Sequence, residues 1–319
     1  MVTGSMLAFV DIQWQHWVGF IICVLFFLAL DLGLFHKHAR VVSLKEAAAW
    51  TGLWVTLSLL FAAGVWHWRG AEEGQEFLAG YIIELSLSMD NVFVIALIFS
   101  YFRIPRMYQH EVLFWGILGA LVLRGAMIFA GASLVERFHW VLMIFGVFLV
   151  YSGLKIVFSK DDDNVDPEKN VVLRLVRKIY PVTSRLHGEK FMIVEAGKRM
   201  LTPLAMVLVV VETTDLIFAL DSIPAVFGIT QKKFIIFTSN VFAILGLRSM
   251  YFALAGAVDY FRYLKVGLSV VLVFIGVKML IAEWFPIGTG LSLGIVAAIL
   301  ALSMAASLWG RLAQNKKAS

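Results

Sequence analysis

Charged residues and cysteines are both scarce in this sequence. Only 15% of its 319 residues are Asp, Glu, Lys or Arg, whereas a soluble domain carries roughly a quarter. The single cysteine, Cys23, excludes an intrachain disulfide, a dithiol redox pair and a thiolate metal cluster. We recognise no cleavable signal peptide, catalytic triad or nucleotide-binding motif. We therefore predict that the protein is not an enzyme and holds no permanently bound cofactor.

Apolar side chains dominate instead, at 61% of the residues with a mean hydropathy of +0.86. Crossing a bilayer takes about 20 apolar residues, and strands of such length cannot satisfy their backbone in lipid. The sequence therefore predicts an all-α, polytopic transmembrane bundle of about nine spans. The predicted spans are 16–36, 46–66, 77–101, 112–134, 139–158, 201–227, 234–257, 264–284 and 288–309.

The distribution of Lys and Arg predicts the orientation of these spans. With the N-terminus outside, nineteen of these residues fall in the cytoplasmic loops and tail, and four fall in the outer loops. This asymmetry follows the positive-inside rule, so we predict an outer N-terminus and a cytoplasmic C-terminus. The net charge of +5 is scattered over short loops and indicates no nucleic-acid partner, whereas membrane lipid is an expected one.

One long polar segment, 159–199, interrupts the apolar spans. Its run of Asp161, Asp162 and Asp163 is interpreted as a solvated acidic linker, with a regulatory cation site as the alternative. Val171 to Ile179 is predicted to form a short amphipathic helix at the membrane surface, where anionic lipid attracts basic residues. The same segment is where a protein partner would bind, and that partner stays open.

A motif occurs once on each side of this linker. Each copy has two acids six residues apart, a polar residue directly after the second acid, an arginine in the next span and a Gly-x-Lys sequence in the span after that. The first copy has Glu84, Asp90, Asn91, Arg124 and Gly153-Leu-Lys155, and the second has Asp215, Asp221, Ser222, Arg248 and Gly276-Val-Lys278. Because each copy has three spans, the second must be inverted, which is an architecture of transporters.

This repeat divides the chain into five parts. We predict the first two transmembrane helices in 1–72, repeat 1 in 73–158, the cytoplasmic linker in 159–199, repeat 2 in 200–284, and the last span with a cytoplasmic tail in 285–319.

Ionisable residues at membrane depth cost about 2.5–3.5 kcal/mol each, yet the predicted spans contain eight that stand out. They are Asp31, Glu84, Asp90, Arg124, Glu212, Asp215, Asp221 and Arg248. The two arginines suit ion pairs with two carboxylates, and the remaining acids then need protons or a cation. Carboxylates together with the oxygens of Asn91, Ser222 and Asn240 are hard ligands that suit Mg²⁺, Ca²⁺ or Mn²⁺.

The positions of the acids along one span also make a geometric prediction. Asp215 and Asp221 lie about 120° apart on an ideal helix, so a straight helix does not aim both at one ion. Pro224 removes the hydrogen bond to the Leu220 carbonyl, and we expect the helix to kink or break just before Asp221. A discontinuous helix would bring the acids together and free a carbonyl ligand.

Several stretches resemble the TerC family, most closely its Alx branch. They are Ala29-Leu-Asp31-Leu-Gly, Val42-Ser-Leu-Lys45-Glu46-Ala, Glu84 to Phe93, Glu212 to Phe227 and Thr238 to Phe252. The resemblance implies a bacterial inner-membrane protein of a transporter superfamily associated with Mn²⁺ export. Alx-type members are linked to alkaline pH, and some are named as redox modulators. By the matching motifs, the metal-site residues would be Glu84, Asp90, Asn91, Glu212, Asp215 and Asp221. The supporting ion-pair or polar residues would be Asp31, Arg124, Asn240 and Arg248.

The leading hypothesis is a secondary transporter that exports Mn²⁺, with protons as a second substrate, in metal and alkaline-pH homeostasis. One alternative is a non-transporting membrane scaffold or a stress-response or redox-modulating factor, in which the acids serve helix association. Another is a Ca²⁺/H⁺ exchanger, since Ca²⁺ uses nearly the same ligands.

Overall fold

The structure, a computed structural model, describes residues 12–35, 43–158, 170–183, 185–195, 197–254 and 264–318, without the side chains of 30–35, 90, 157, 308 and 310–318. These residues form ten α-helices and one antiparallel pair of strands. The helices are α1 (Trp14–Phe35), α2 (Leu44–Arg69), α3 (Ala71–Tyr101), α4 (Arg106–Arg137), α5 (Val141–Phe158), α6 (Val171–Ile179), α7 (Pro203–Phe227), α8 (Lys233–Leu254), α9 (Leu264–Ile281) and α10 (Thr289–Ala318). The strands are β1 (Met192–Glu195) and β2 (Lys198–Leu201).

Each of the nine predicted spans corresponds to one helix, which confirms the polytopic helical membrane fold. Within the described residues, seven helices are long and apolar enough to cross a bilayer. The apolar stretches of α1 and α5, 14–29 and 141–156, are shorter. They correspond to the first and fifth predicted spans.

Local sequence signals set several helix ends. Gly70 is the single residue between α2 and α3, and its φ of 95° is a backbone conformation that glycine adopts without a steric penalty. Pro203 opens α7, where its missing N–H costs no helical hydrogen bond. The Asn170 side chain caps α6 by accepting from the Leu173 N–H at 3.0 Å, as an N-cap residue does.

Contacts at the two ends of the bundle show that α3, α4, α7 and α8 alternate in direction. At one end, Lys232 after α7 lies 3.1 Å from the Glu76 carboxylate near the start of α3, and Lys233 at the start of α8 pairs with Glu136 at the end of α4. At the other end, the Tyr251 hydroxyl of α8 donates to Gln109 of α4 at 2.9 Å. This alternation is what consecutive membrane crossings require.

The packing between the two predicted repeats is reciprocal. In the repeat, α3 corresponds to α7, α4 to α8 and α5 to α9. The contact between α3 and α8 therefore has its counterpart in the contact between α4 and α7. Likewise, α5 with α7 has its counterpart in α3 with α9, and each helix also packs against its own match. A pseudo-twofold relation between the halves produces this pattern, so it supports the inverted repeat, which stays a prediction.

Close backbone approach between α5 and α9 follows the same reciprocity. A Cβ on Gly276 would lie 2.6 Å from the Gly146 carbonyl oxygen, and one on Gly153 would lie 2.8 Å from the Ser269 carbonyl oxygen. Matching Gly153 with Gly276 also matches Gly146 with Ser269, so the two contacts are equivalent. Small residues at these crossings let the helices pack closely, as in membrane bundles generally.

The linker contains more structure than the sequence predicted. The helix expected at Val171 to Ile179 is present as α6, whereas the hairpin of β1 and β2, with Glu195 opposite Lys198, was not anticipated. Strand β2 ends at Leu201, two residues beyond the predicted linker boundary. The acidic run at 161–163 lies outside the described residues.

The predicted break in α7 is wrong. The helix continues through Pro224 to Phe227, and its last turn is closed by the Gly228 N–H, which donates to the Pro224 carbonyl at 3.0 Å. Because Pro224 lies one turn from the C-terminus of α7, its missing N–H removes a hydrogen bond only near the helix end. No discontinuous helix therefore reorients Asp221.

Candidate functional site

Helix α4 places Arg124 in the centre of the bundle, where its side chain is 2% exposed. Its Nε and Nη2 donate to the two carboxylate oxygens of Asp215 on α7 at 2.9 and 2.8 Å. This is the bidentate geometry in which a guanidinium binds a carboxylate best. Nη1 pairs with the fully buried carboxylate of Glu84 on α3 and lies 3.4 Å from the Ser222 hydroxyl. The first acids of both sequence motifs therefore meet at one arginine.

Glu212 lies one helical turn before Asp215 and faces the same neighbouring helix. A Cβ on Gly119 of α4 would overlap the Glu212 carboxyl group, so any larger residue at this position would force the Glu212 side chain to shift. The Oε2 atom of Glu212 is buried and has no hydrogen-bond partner among the described residues. The negative charge of Asp215 repels the ionised form of this carboxyl group.

The charges of these side chains do not balance. We call Glu84, Arg124, Glu212 and Asp215 the Arg124 cluster. With all three carboxyl groups ionised, the cluster has three negative charges and one positive charge. Within the cluster, an excess of two negative charges remains, and a low-dielectric interior makes such an excess costly. Two protons or one divalent cation would neutralise it.

Asp221 faces a different helix from the other two acids of α7. Its Oδ1 accepts a hydrogen bond of 2.8 Å from the Ser152 hydroxyl of α5, and Lys155, one turn further along α5, attracts it electrostatically. Glu212 and Asp215 instead face α4. An unbroken α7 thus directs its acids toward two different neighbours, as the 100° rotation per residue requires.

Three other predicted site residues are buried in the bundle. Asn91, Asn240 and Arg248 are all buried, with exposures of 4%, 2% and 4%. The Nδ2 atom of Asn240 has no hydrogen-bond partner in the part of the chain that the structure describes. The side chains of Asp31 and Asp90 lie outside the described residues.

The predicted ligands are not gathered around one point in this structure. Among the described side chains, no group of three or more His, Cys, Asp or Glu residues is arranged to hold a metal ion. The Arg124 guanidinium lies between Glu84 and Asp215 and pairs with both. Arg124 and Arg248 were predicted to neutralise two carboxylates, and in this structure one of them, Arg124, pairs with both Glu84 and Asp215.

Two residues of the site were missed by sequence analysis. Ser152 directly precedes the Gly153-Leu-Lys155 sequence, and a hydroxyl next to a repeated motif in an apolar span was a usable signal. Gly119 is one of several glycines in α4, a pattern that by itself indicates close helix packing. Its specific role depends on the rotation of α7, which spacing alone does not fix.

One family model and several relatives match this chain. The sequence model of the integral membrane protein TerC family matches residues 69–316. An uncharacterized membrane protein of Myxococcus xanthus, STKORF319, is 53% identical over 292 residues, covering 92% of this chain and 91% of that protein.

Two proteins described as "Putative membrane-bound redox modulator Alx" are also similar. The one from Photorhabdus laumondii is 47% identical over 302 residues, covering 92% of this chain and 94% of its own. The one from Escherichia coli K12 is 45% identical over 310 residues, covering 94% and 96%. No solved structure matches. With the family model spanning most of its helices, the chain belongs to the TerC family of integral membrane proteins.

Proposed function

We propose that this protein is a secondary transporter that exports Mn²⁺ in exchange for protons. The observation that carries the proposal is Glu212, a carboxyl group in the membrane-embedded core whose buried Oε2 has no hydrogen-bond partner among the described residues. It lies next to Asp215, which Arg124 already holds. Carboxyl groups at such depth mark ion pathways and proton relays.

The charge count of the Arg124 cluster suggests the exchange ratio. An excess of two negative charges is balanced either by two protons or by one divalent cation. Exchange of one cation for two protons would leave the charge of the cluster unchanged. The oxygen ligands favour a hard cation, and Mn²⁺ rather than Ca²⁺ is chosen from the family resemblance.

Arg124 would act in this mechanism as an internal competitor of the transported cation. While its guanidinium binds Glu84 and Asp215, these carboxylates are not available as ligands. The cation would bind after Arg124 releases one of them, in a conformation where α4 and α7 have moved relative to each other. Ser152 and Asp221 on the other side of α7 would supply further oxygens along the path.

The membrane placement is also a proposal. We assign the protein to the bacterial inner membrane with its N-terminus outside, because the excess of Lys and Arg lies on the side of the linker. In this orientation, the end that contains Glu76 and Lys232 is the outer end. The hairpin and α6 then lie in the cytoplasm.

A scaffold role is the second candidate, and the Arg124 pairing favours it. Arg124 connects α3, α4 and α7 through its ion pairs with Glu84 and Asp215. This arrangement is the one expected if the two carboxylates have a purely structural function. A thiol-based redox function receives no support from a chain with one cysteine. A Ca²⁺/H⁺ exchanger would use the same carboxylates.

Ion flux in proteoliposomes tests these functions directly. The purified protein is reconstituted with a trapped metal-sensitive dye and a pH dye, and Mn²⁺ or Ca²⁺ is added under an imposed pH gradient. We expect Mn²⁺ movement with opposite proton movement, and at least about a tenfold loss of rate in Glu212→Gln, Asp221→Asn and Asp90→Asn. Glu136→Gln removes a carboxylate that is 61% exposed and should keep the wild-type rate.

Each outcome of this experiment distinguishes one hypothesis. Flux of Ca²⁺ alone would assign the exchanger. A folded wild-type protein that moves neither ion, in vesicles where a known transporter works, would rule out the exporter and leave the scaffold. Equal loss in Glu136→Gln and Glu212→Gln would show that the carboxylates of the core have no special role.

A further inference from the structure

Helix α6 presents three faces of different composition. Successive residues are rotated by 100°, which places Leu173 and Val176 on one face. Leu173 is 1% exposed and belongs to the same apolar cluster as Leu204 of α7, with Val176 packed beside it. This face fixes α6 to the bundle.

The second face is apolar but not covered by the protein. Val171, Val172, Leu175 and Ile179 lie within about 100° of one another on a helical projection, with exposures of 74%, 41%, 55% and 64%. Four adjacent large apolar side chains in water are unfavourable. An exposed patch of this kind marks an interaction surface.

The third face is basic and borders the apolar one. Arg174, Arg177 and Lys178 are all exposed, and on the projection Lys178 lies next to Val171. The helix and the part of the linker that follows it have the same sign of charge, since residues 170–202 contain seven basic residues and two acidic ones. A short helix with an apolar face and adjacent Lys and Arg is typical of helices that lie in the interface of an anionic membrane.

The position of α6 favours the membrane over other partners for this surface. Its buried face shares an apolar cluster with Leu204, in the first turn of α7, and α6 contacts α7. The uncovered apolar face therefore lies near the level where a transmembrane helix begins. Flanking basic side chains at this level are placed to reach lipid phosphates.

We propose that α6 docks on the headgroup layer of the membrane and binds anionic phospholipid. Val171, Leu175 and Ile179 enter the boundary between headgroups and acyl chains, while Arg174, Arg177 and Lys178 contact the phosphates. The linker is thereby held against the membrane next to the end of α7. This binding is independent of whether the protein transports an ion.

Site-directed fluorescence tests the location of the apolar face. In a Cys23→Ser background the chain has no other cysteine, so Leu175→Cys can be labelled with an environment-sensitive dye in the full-length protein. In nanodiscs of phosphatidylcholine with a quarter phosphatidylglycerol, we expect a blue-shifted emission that shallow spin-labelled lipids quench. The matched control, Val194→Cys on β1, replaces a residue that is 70% exposed and should report water.

The outcomes separate the membrane from other occupants. Leu175→Cys emission that matches the Val194→Cys control in all nanodiscs would overturn the proposal. A blue shift that persists in detergent without lipid and is not quenched by spin-labelled lipids would assign the face to a second copy or another protein, and would also overturn it.

Charge variants test the role of the basic face. The change Arg174→Gln/Arg177→Gln/Lys178→Gln should lower the affinity of α6 for anionic headgroups by about fivefold per residue removed. The emission shift in nanodiscs with a quarter phosphatidylglycerol should then be largely lost. The matched control, Lys190→Gln/Lys198→Gln/Arg199→Gln, removes the same charge from the hairpin. We expect the control to have a much smaller effect, and circular dichroism checks that both variants fold. Equal effects of the two triple variants, or no difference between neutral and anionic nanodiscs, would refute specific binding by α6.

Discussion

Removal of the Arg124 guanidinium should destabilise the protein more than any single charge removal at the ends of its helices. In Arg124→Gln, the bidentate contact with Asp215 and the ion pair with Glu84 are lost together. Both carboxylates stay in place, and their side chains are only 12% and 0% exposed. Water therefore cannot replace the lost partner.

The magnitude follows from this burial. Removing one partner of a buried ion pair costs about 3–5 kcal/mol, because it leaves an uncompensated buried charge. Glutamine can still donate one neutral hydrogen bond, worth about 1 kcal/mol, so we expect a net loss of about 2–4 kcal/mol. Arg124→Lys keeps the charge but not the planar fork, and its loss should be smaller.

A rescue experiment separates lost charge compensation from lost packing. Glu84→Gln/Arg124→Gln/Asp215→Asn removes every charge of the contact, and it should recover most of the stability, since neutral replacement of a whole buried ion pair is often nearly neutral. The unfolding free energy is measured in mixed detergent micelles by circular dichroism. Arg137→Gln, at the exposed end of α4, is the control. Among the described residues it removes only a contact of the guanidinium with the Phe138 ring and should change stability by less than about 1 kcal/mol. A loss below about 1 kcal/mol in Arg124→Gln, or no recovery in the triple variant, would refute this account of the cluster.

Two further variants test steric and surface effects. Gly119→Ala should slow ion flux, because the new methyl group displaces the Glu212 carboxyl. Its effect on stability should stay within about 1 kcal/mol, because the displaced atoms are the end of a flexible side chain. Gly294→Ala, which meets nothing within 4 Å, should instead be neutral or stabilising, and equal effects of the two on ion flux would contradict the steric argument. Lys232→Met removes the ion pairs of a 41% exposed lysine with Glu73 and Glu76. Thermal unfolding should show a loss of about 1–2 kcal/mol, more than for a fully exposed pair because the Glu76 side chain is only 6% exposed; a loss equal to that of Arg124→Gln would contradict this reasoning.

The sequence was sufficient to predict the transmembrane helices. Apolar runs bounded by charged loops locate spans to within a few residues, because lipid allows few backbone solutions other than a helix. Helix α6 was predictable from its own pattern. The hairpin was not, since two four-residue strands next to Gly197 carry too little alternation to distinguish them from a loop.

The sequence was sufficient to identify the residues of the candidate site, but not which of their side chains contact one another. Spacing identifies Arg124 and the acids, yet Arg124 and Asp215 are 91 positions apart, and their contact depends on how α4 and α7 pack. The Ser152 contact with Asp221 likewise depends on α5 packing against α7. The expected break at Pro224 failed because a proline near a helix end removes few hydrogen bonds, and burial of the surrounding residues supports the remaining turn.

The two copies of the motif differ at one position that bears on function. Matching Glu84 with Asp215 places Tyr81 opposite Glu212, and Tyr81 is a buried core residue stacked on Phe77. The pairing of Arg124 with Glu84 and Asp215 uses only matched residues, so a scaffold would need nothing more. Glu212 is the unmatched acid, and its buried charge opposes folding instead of aiding it. Glu212→Gln should therefore raise the unfolding free energy while it abolishes ion flux. An acid retained only for helix association would produce a loss of stability with this substitution.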